Sequence, residues 1–79
     1  MAEVVLPELG EGIEDATVAF WHCKAGDHVQ EGDDLVELVT DKATFNVPAD
    51  AAGTVQKLLA SEGEKVKIGA PLVVISKHA

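Results

Sequence analysis

Apolar residues in this chain recur in short runs, cut at regular intervals by glycine, proline and acidic residues. Runs of this length, rich in valine, leucine and threonine and bounded by turn formers, predict strands and no helix. The pattern places strands at residues 4–6, 17–22, 35–40, 44–47, 54–59 and 72–76, with brief segments at Val29 and Val66. KAGD (24–27) is a turn with Gly26 placed for a positive φ, and SEGE (61–64) is its counterpart. Pro7, Pro48 and Pro71 stand at strand ends, where a missing N–H disturbs a ladder least.

The pattern repeats. TVAFWHCKAGDHVQEGDDLV (17–36) lies over TVQKLLASEGEKVKIGAPLV (54–73) at a constant offset of 37. Leu6-Pro7 against Val47-Pro48, and Gly12 against Gly53, match at offset 41 if the first copy carries a four-residue insertion. The chain is therefore read as a duplication, with too few copies for a solenoid. Each copy is too thin to bury its own inner face, so the expected fold is all-β. It is a flattened barrel or sandwich of two short antiparallel sheets with pseudo-twofold symmetry, a barrel-sandwich hybrid formed as one domain over residues 1–79. Lys42 then falls at the tip of the hairpin joining the copies, at the far end from both termini.

Composition narrows the class. Hydrophobic residues are 47% of the chain and aromatics 4%, which predicts a Val, Leu, Ile and Ala interior with Phe20, Trp21 and Phe45 as its few large pieces. This apolar content is too high for a disordered chain, and no apolar run approaches the roughly 20 residues of a membrane helix. MAEVVLPELG has neither a basic lead nor a long apolar stretch, so a cytoplasmic location is expected. Cys23 is the only cysteine, which suits a reducing compartment and leaves packing to hold the fold. Of the net charge of −8, residues 1–42 carry −9 and residues 43–79 carry +1, a balance that disfavours nucleic acid as a partner.

The motifs are LPELGEGI (6–13), KAGD, TDKAT (40–44), NVPAD followed by AAGTV, and EGEKVKIGAPL (62–72). With DKA midway between duplicated halves, the chain resembles a lipoyl domain, the swinging-arm module of the acyltransferase component of 2-oxo acid dehydrogenase complexes. The resemblance covers essentially the whole chain. It implies that Lys42 carries lipoic acid through an amide, flanked by Asp41 and Ala43. It also implies a carrier, not an enzyme in isolation. A thiamin-dependent 2-oxo acid dehydrogenase component would acylate the arm, the acyltransferase core would pass the acyl group to coenzyme A, and the flavoprotein dihydrolipoamide dehydrogenase would reoxidise the dithiol. A lipoate ligase or lipoyl transferase would attach the arm, and the isolated domain would be a monomer with no membrane or nucleic-acid partner.

The residues themselves fit that task. A ligase must select one lysine over Lys24, Lys57, Lys65, Lys67 and Lys77, and a hairpin apex does this by position; an ordinary solvated tip lysine is the plain alternative. The resemblance places Gly10, Glu11, Gly12, Ile13 and Glu14 beside the lysine. With Glu8 and Asp15 they form an acidic surface on which a basic dehydrogenase could dock, against the alternative of a merely solvated loop. His22, Cys23 and His28 are zinc-type ligands, but adjacent strand residues point to opposite faces and no fourth ligand stands at metal spacing, so no metal is expected. Cys23 reads instead as a small buried apolar residue. No nucleophile elbow accompanies the histidines, and LGEG lacks the helix and GK[ST] of a phosphate loop.

The nearest rival is a biotinyl carrier, in which methionines characteristically flank the lysine; here Asp41 and Ala43 do. The glycine-cleavage H protein is longer, and an unmodified barrel-sandwich spacer, as in membrane-fusion adaptors, needs no apical lysine. For the acyl group, LGEGI and DKAT favour the acetyl (pyruvate) or branched-chain type, while TVAFWH resembles succinyl-transferring domains; acetyl is the expectation, with branched-chain and succinyl as alternatives.

Overall fold

The computed structural model describes residues 2–77, and every element in it is a strand. In order these are β1 (Ala2–Val5), β2 (Asp15–Trp21), β3 (His28–Val29), β4 (Asp34–Val39), β5 (Thr44–Pro48), β6 (Gly53–Leu58), β7 (Lys65–Lys67) and β8 (Pro71–Lys77). They form two antiparallel four-stranded sheets, the terminal sheet β1-β8-β6-β3 and the hairpin sheet β5-β4-β2-β7. Pro48 closes β5 and Pro71 opens β8, as expected of residues without an amide hydrogen.

Exchanging β1–β4 for β5–β8 turns one sheet order into the other, so the pseudo-twofold is real at the level of pairing. The copies do not each form a layer. In the terminal sheet the inner strands β8 and β6 come from the second copy and the edges β1 and β3 from the first, and the hairpin sheet reverses this. The turns lock the exchange from both sides: Gly63 N–H donates to Val18 O at 2.7 Å, and Gly26 N–H donates to Val55 O at 2.8 Å. Gly26 has φ 97°, the left-handed conformation its turn requires.

The ladder corrects the sequence alignment of the first strands. Val4 pairs with Val73 and Val47 pairs with Val36, and these partners are 37 apart, so Val4 corresponds to Val47 at an offset of 43, not 41. By the same reasoning Ala16, opposite Val66, corresponds to Gly53, opposite Val29; Gly12 does not. The insertion in the first copy is therefore six residues long. Matching prolines misled the alignment, because Pro48 corresponds to Val5 and not to Pro7.

The core is aliphatic. Leu35, Leu38, Leu72 and Val73 have no exposed surface, and Leu6, Val18, Val36, Val55 and Ile75 have almost none. Phe20, Trp21 and Phe45 are not its large pieces: Trp21 and Phe45 are half-buried and Phe20 is 52% exposed. The cause is a bulge in β2 between Val18 and Phe20. Simple alternation would put Phe20 on the same face as the buried Val18, but the extra residue, Ala19, reverses the phase. The same bulge recurs in β6 between Val55 and Lys57, and there too the following residue is exposed. Trp21 rests against the core, with its indole N–H donating to Ala60 O at 2.9 Å.

Candidate functional site

The link between the copies is the hairpin β4–β5, whose last ladder pair is Val39 with Thr44. Four residues, Thr40-Asp41-Lys42-Ala43, cross between them. Two-residue hairpin turns of the tightest kind need positive φ, which glycine or asparagine supplies. No non-glycine residue has positive φ here, and Thr40 closes the turn instead. Its amide donates to Ala43 O at 2.8 Å, while its Oγ1 accepts from the amides of Lys42 at 3.2 Å and Ala43 at 3.0 Å. A hydroxyl bonded to backbone amides within one turn is a local brace that needs no tertiary support. The brace presents Asp41, Lys42 and Ala43 to solvent.

Among the described residues the Lys42 ammonium has no hydrogen bond or ion pair. An exposed primary amine on a braced turn is what covalent attachment of a carboxylic acid requires: the enzyme that forms the amide can reach it, and no native contact is lost. Lys57, Lys65 and Lys67 are also exposed, but each lies within a strand. The pseudo-twofold carries the 40–43 tip to the place where β8 ends and β1 begins, so the fold has one such hairpin between its copies.

Residues 6–14 connect β1 to β2. Leu6 is buried and Leu9 packs on the core, Ile13 N–H donates to Gly10 O at 3.2 Å, and Glu14 O accepts from Ile68 N–H at 3.0 Å. Tied down in this way, the loop leaves Glu8, Glu11, Gly12 and Glu14 exposed and Ile13 half-buried. β2 follows at once, and Thr17 pairs with Val39 beside the tip. A groove of about 510 Å³ lies between the start of β2 and the tip, lined by Asp15, Ala16, Thr17, Val39, Thr40, Asp41 and Lys65. The loop residues singled out in the sequence thus precede the strand whose first residues line the groove with Thr40 and Asp41.

The histidines and the thiol lie elsewhere. His22 Nε2 is 3.0 Å from Asn46 Oδ1, and His28 Nδ1 is 3.0 Å from Thr54 Oγ1. No three potential ligands converge among the described residues. Cys23 is half-buried, not fully buried; burial, and next the charge of Asp27, push its thiol above the ordinary value. Sequence reasoning missed the outward Phe20, whose ring meets that of His22 edge-on with centroids 5.1 Å apart. The signal that could have found it is the run Val18-Ala19-Phe20-Trp21, in which strict alternation cannot bury both Val18 and Trp21.

The family described as "Biotin-requiring enzyme", the biotin and lipoyl attachment family, matches residues 2–75. The dihydrolipoyllysine-residue succinyltransferase component of the 2-oxoglutarate dehydrogenase complex of Staphylococcus saprophyticus is 43% identical over 98% of this chain and 18% of its own length. The dihydrolipoyllysine-residue acetyltransferase component of the pyruvate dehydrogenase complex of Acholeplasma laidlawii is 41% identical over 95% of this chain and 14% of its own. This chain thus spans less than a fifth of either relative. The solution structure of the lipoyl domain of the 2-oxoglutarate dehydrogenase complex from Azotobacter vinelandii superposes with a TM-score of 0.79 at 32% identity, over 100% of both chains.

Proposed function

The chain belongs to the biotin and lipoyl attachment family, and from that premise we propose that it is the lipoyl carrier domain of a 2-oxo acid dehydrogenase complex, with Lys42 as its attachment residue. The observation that carries the reading is the free, exposed Lys42 amine on a hairpin braced by Thr40. Attachment joins Lys42 Nζ to the carboxyl of lipoic acid with loss of water, and it removes one positive charge from the tip. Once bound, the group supplies a disulfide that can be reduced and acylated. The protein's own part is to hold the arm clear of the fold and to identify it to its partners. Asp41 and Ala43 shape the tip, and residues Gly10, Glu11, Gly12, Ile13 and Glu14 present the acidic loop to a basic dehydrogenase component.

The same reading gives the domain its other partners: the ligase or transferase that loads it, the acyltransferase core that unloads it, and the flavoprotein that reoxidises it. For the acyl group, TVAFWH and the full-length likeness to a 2-oxoglutarate complex domain favour succinyl, while LGEGI and DKAT favour acetyl. We adopt succinyl in place of the acetyl expected from the sequence, with acetyl as the second reading.

Intact mass after incubation with lipoate ligase, ATP and lipoate tests the site. Wild type gains one lipoyl group and its formal charge moves by one unit, whereas Lys42→Ala gains nothing and keeps its fold. A lipoyl adduct on Lys42→Ala would sink the assignment. Reductive acylation of the loaded domain, with 2-oxoglutarate and pyruvate dehydrogenase components in parallel, separates the two acyl groups.

A further inference from the structure

The bulges in β2 and β6 turn corresponding residues outward, Phe20 on the hairpin sheet and Lys57 on the terminal sheet. Across each sheet they begin equivalent rows. The terminal sheet has Lys57, Val74 and Glu3, with the central valine buried between two charged residues. The hairpin sheet inverts this, with Phe20, Glu37 and Asn46, so that the charge is central and the ring is at the side. The fold does not need a ring there, since a lysine fills the same position in its twin. A single exposed ring would need no explanation, but here exposed Val39 continues the apolar surface on the same sheet toward the tip.

The ring is also held in place. It meets His22 at an interplanar angle of 77°, and His22 is fixed in turn by Asn46 at 3.0 Å. An exposed side chain already fixed in position loses little freedom when a partner covers it. Two residues beyond Glu37 on the same face of β4, Val39 is 39% exposed, and the tip begins at Thr40. From Glu37 to Thr40 the strand rises roughly 10 Å, so the stripe Phe20, Glu37, Val39 leads straight to Lys42.

We propose that this stripe is the docking face for the thiamin-dependent dehydrogenase component that acylates the arm on Lys42. Phe20 is the anchor and enters an apolar pocket rimmed by Lys or Arg side chains facing Glu37. The inference rests on the carrier reading above. Continuity with the tip favours a partner that works on the arm, and charge favours a basic one. A second copy of this chain, itself carrying −8, is a poor occupant.

Phe20→Lys, which copies the terminal sheet, Phe20→Ala, Phe20→Trp and Glu37→Gln are lipoylated, checked for folding by NMR and compared with wild type in reductive acylation by whichever dehydrogenase component acylates wild type. Phe20→Lys and Phe20→Ala are expected to lower kcat/KM at least about tenfold, chiefly through KM, with Phe20→Trp restoring most of it. Glu37→Gln lowers it about threefold, and only at low ionic strength. Lipoylation by the ligase proceeds at the wild-type rate in all of them. Unchanged kcat/KM in Phe20→Lys and Phe20→Ala overturns the docking face while leaving the carrier reading intact. An equal loss in lipoylation reassigns the face to the ligase, and a wild-type dimer in sedimentation that Phe20→Lys dissociates reassigns it to a second copy; either overturns the proposal. A loaded wild-type domain that neither dehydrogenase acylates overturns the carrier reading and the docking face together.

Discussion

Between the matched residues Pro48 and Gly53 the second copy has four residues, 49–52, and between Val5 and Ala16 the first copy has ten, 6–15. Both connections start from matched anchors. Ala49 O accepts from Gly32 N–H at 2.9 Å, and Leu6 O accepts from Gly69 N–H at 2.8 Å. The short version shows that the fold needs only four residues to make this crossing. The crossing itself does not require the additional six, and they lead into β2, which pairs with β4 next to the Lys42 hairpin. The outer faces of the two sheets make the same point, because Phe20 stands where Lys57 suffices. Where two copies of one design differ, the shared part reports stability and the remainder reports function.

The comparison breaks most severely at Gly53, the counterpart of Ala16. A Cβ on Gly53 would meet the carbonyl oxygen of Ser76 and the side chain of Ile75. Gly53→Val should cost about 3 kcal/mol in urea unfolding, because backbone cannot yield as a side-chain end can. The reciprocal Ala16→Gly should cost only about 1 kcal/mol. Equal costs would mean that the copies do not differ in how closely the sheets approach there.

Removing Leu9 to Glu14 gives the first copy the loop length of the second. We expect kcat/KM for reductive acylation to fall between about tenfold and a hundredfold, a loss of roughly 1.4–2.8 kcal/mol, while lipoylation by the ligase stays near the wild-type rate. Leu9 packs on the core, so some stability is lost too, and NMR must confirm the fold. Undiminished acylation would make the loop a connection and nothing more.

The smallest effect concerns Cys23, whose counterpart Ala60 is buried and cannot titrate. The folded thiol is raised by burial and by Asp27, so the unfolded chain releases its proton first. Stability from this residue is complete below the unfolded thiol value of about 8.5 and is lost as pH climbs through the higher folded value. Between about pH 8 and 10, wild type should lose ~2 °C more in Tm than Cys23→Val. Parallel pH profiles would contradict it.

Much of the fold was legible in the sequence. All eight strands were expected within two residues of where they lie, because period-two runs bounded by glycine turns carry strand identity locally, and the duplication showed that Lys42 joins the halves. Two features were not legible. Phe20 was assigned to the core because a bulge, invisible to alternation, reverses the phase after Ala19. The first strands were aligned two residues out because prolines were matched where only ladder partners decide. The acidic loop could be seen as an insertion, and the resemblance placed it beside the tip; the ladder adds that Thr17, three residues after Glu14, pairs with Val39.

By itself, the sequence determined what is local or repeated: the strands, the turns at Gly26 and Gly63, the exposed lysine between two copies, and a charge concentrated in the first half. Only the tertiary structure decided that each sheet draws strands from both copies. A single copy offers edges and half a core, and hydrogen bonding and burial are satisfied only when β8 and β6 take β1 and β3 as neighbours while β4 and β2 take β5 and β7. That exchange, which no run of residues encodes alone, sets the start of β2, and with it the end of the long loop, against the β4–β5 hairpin that carries Lys42.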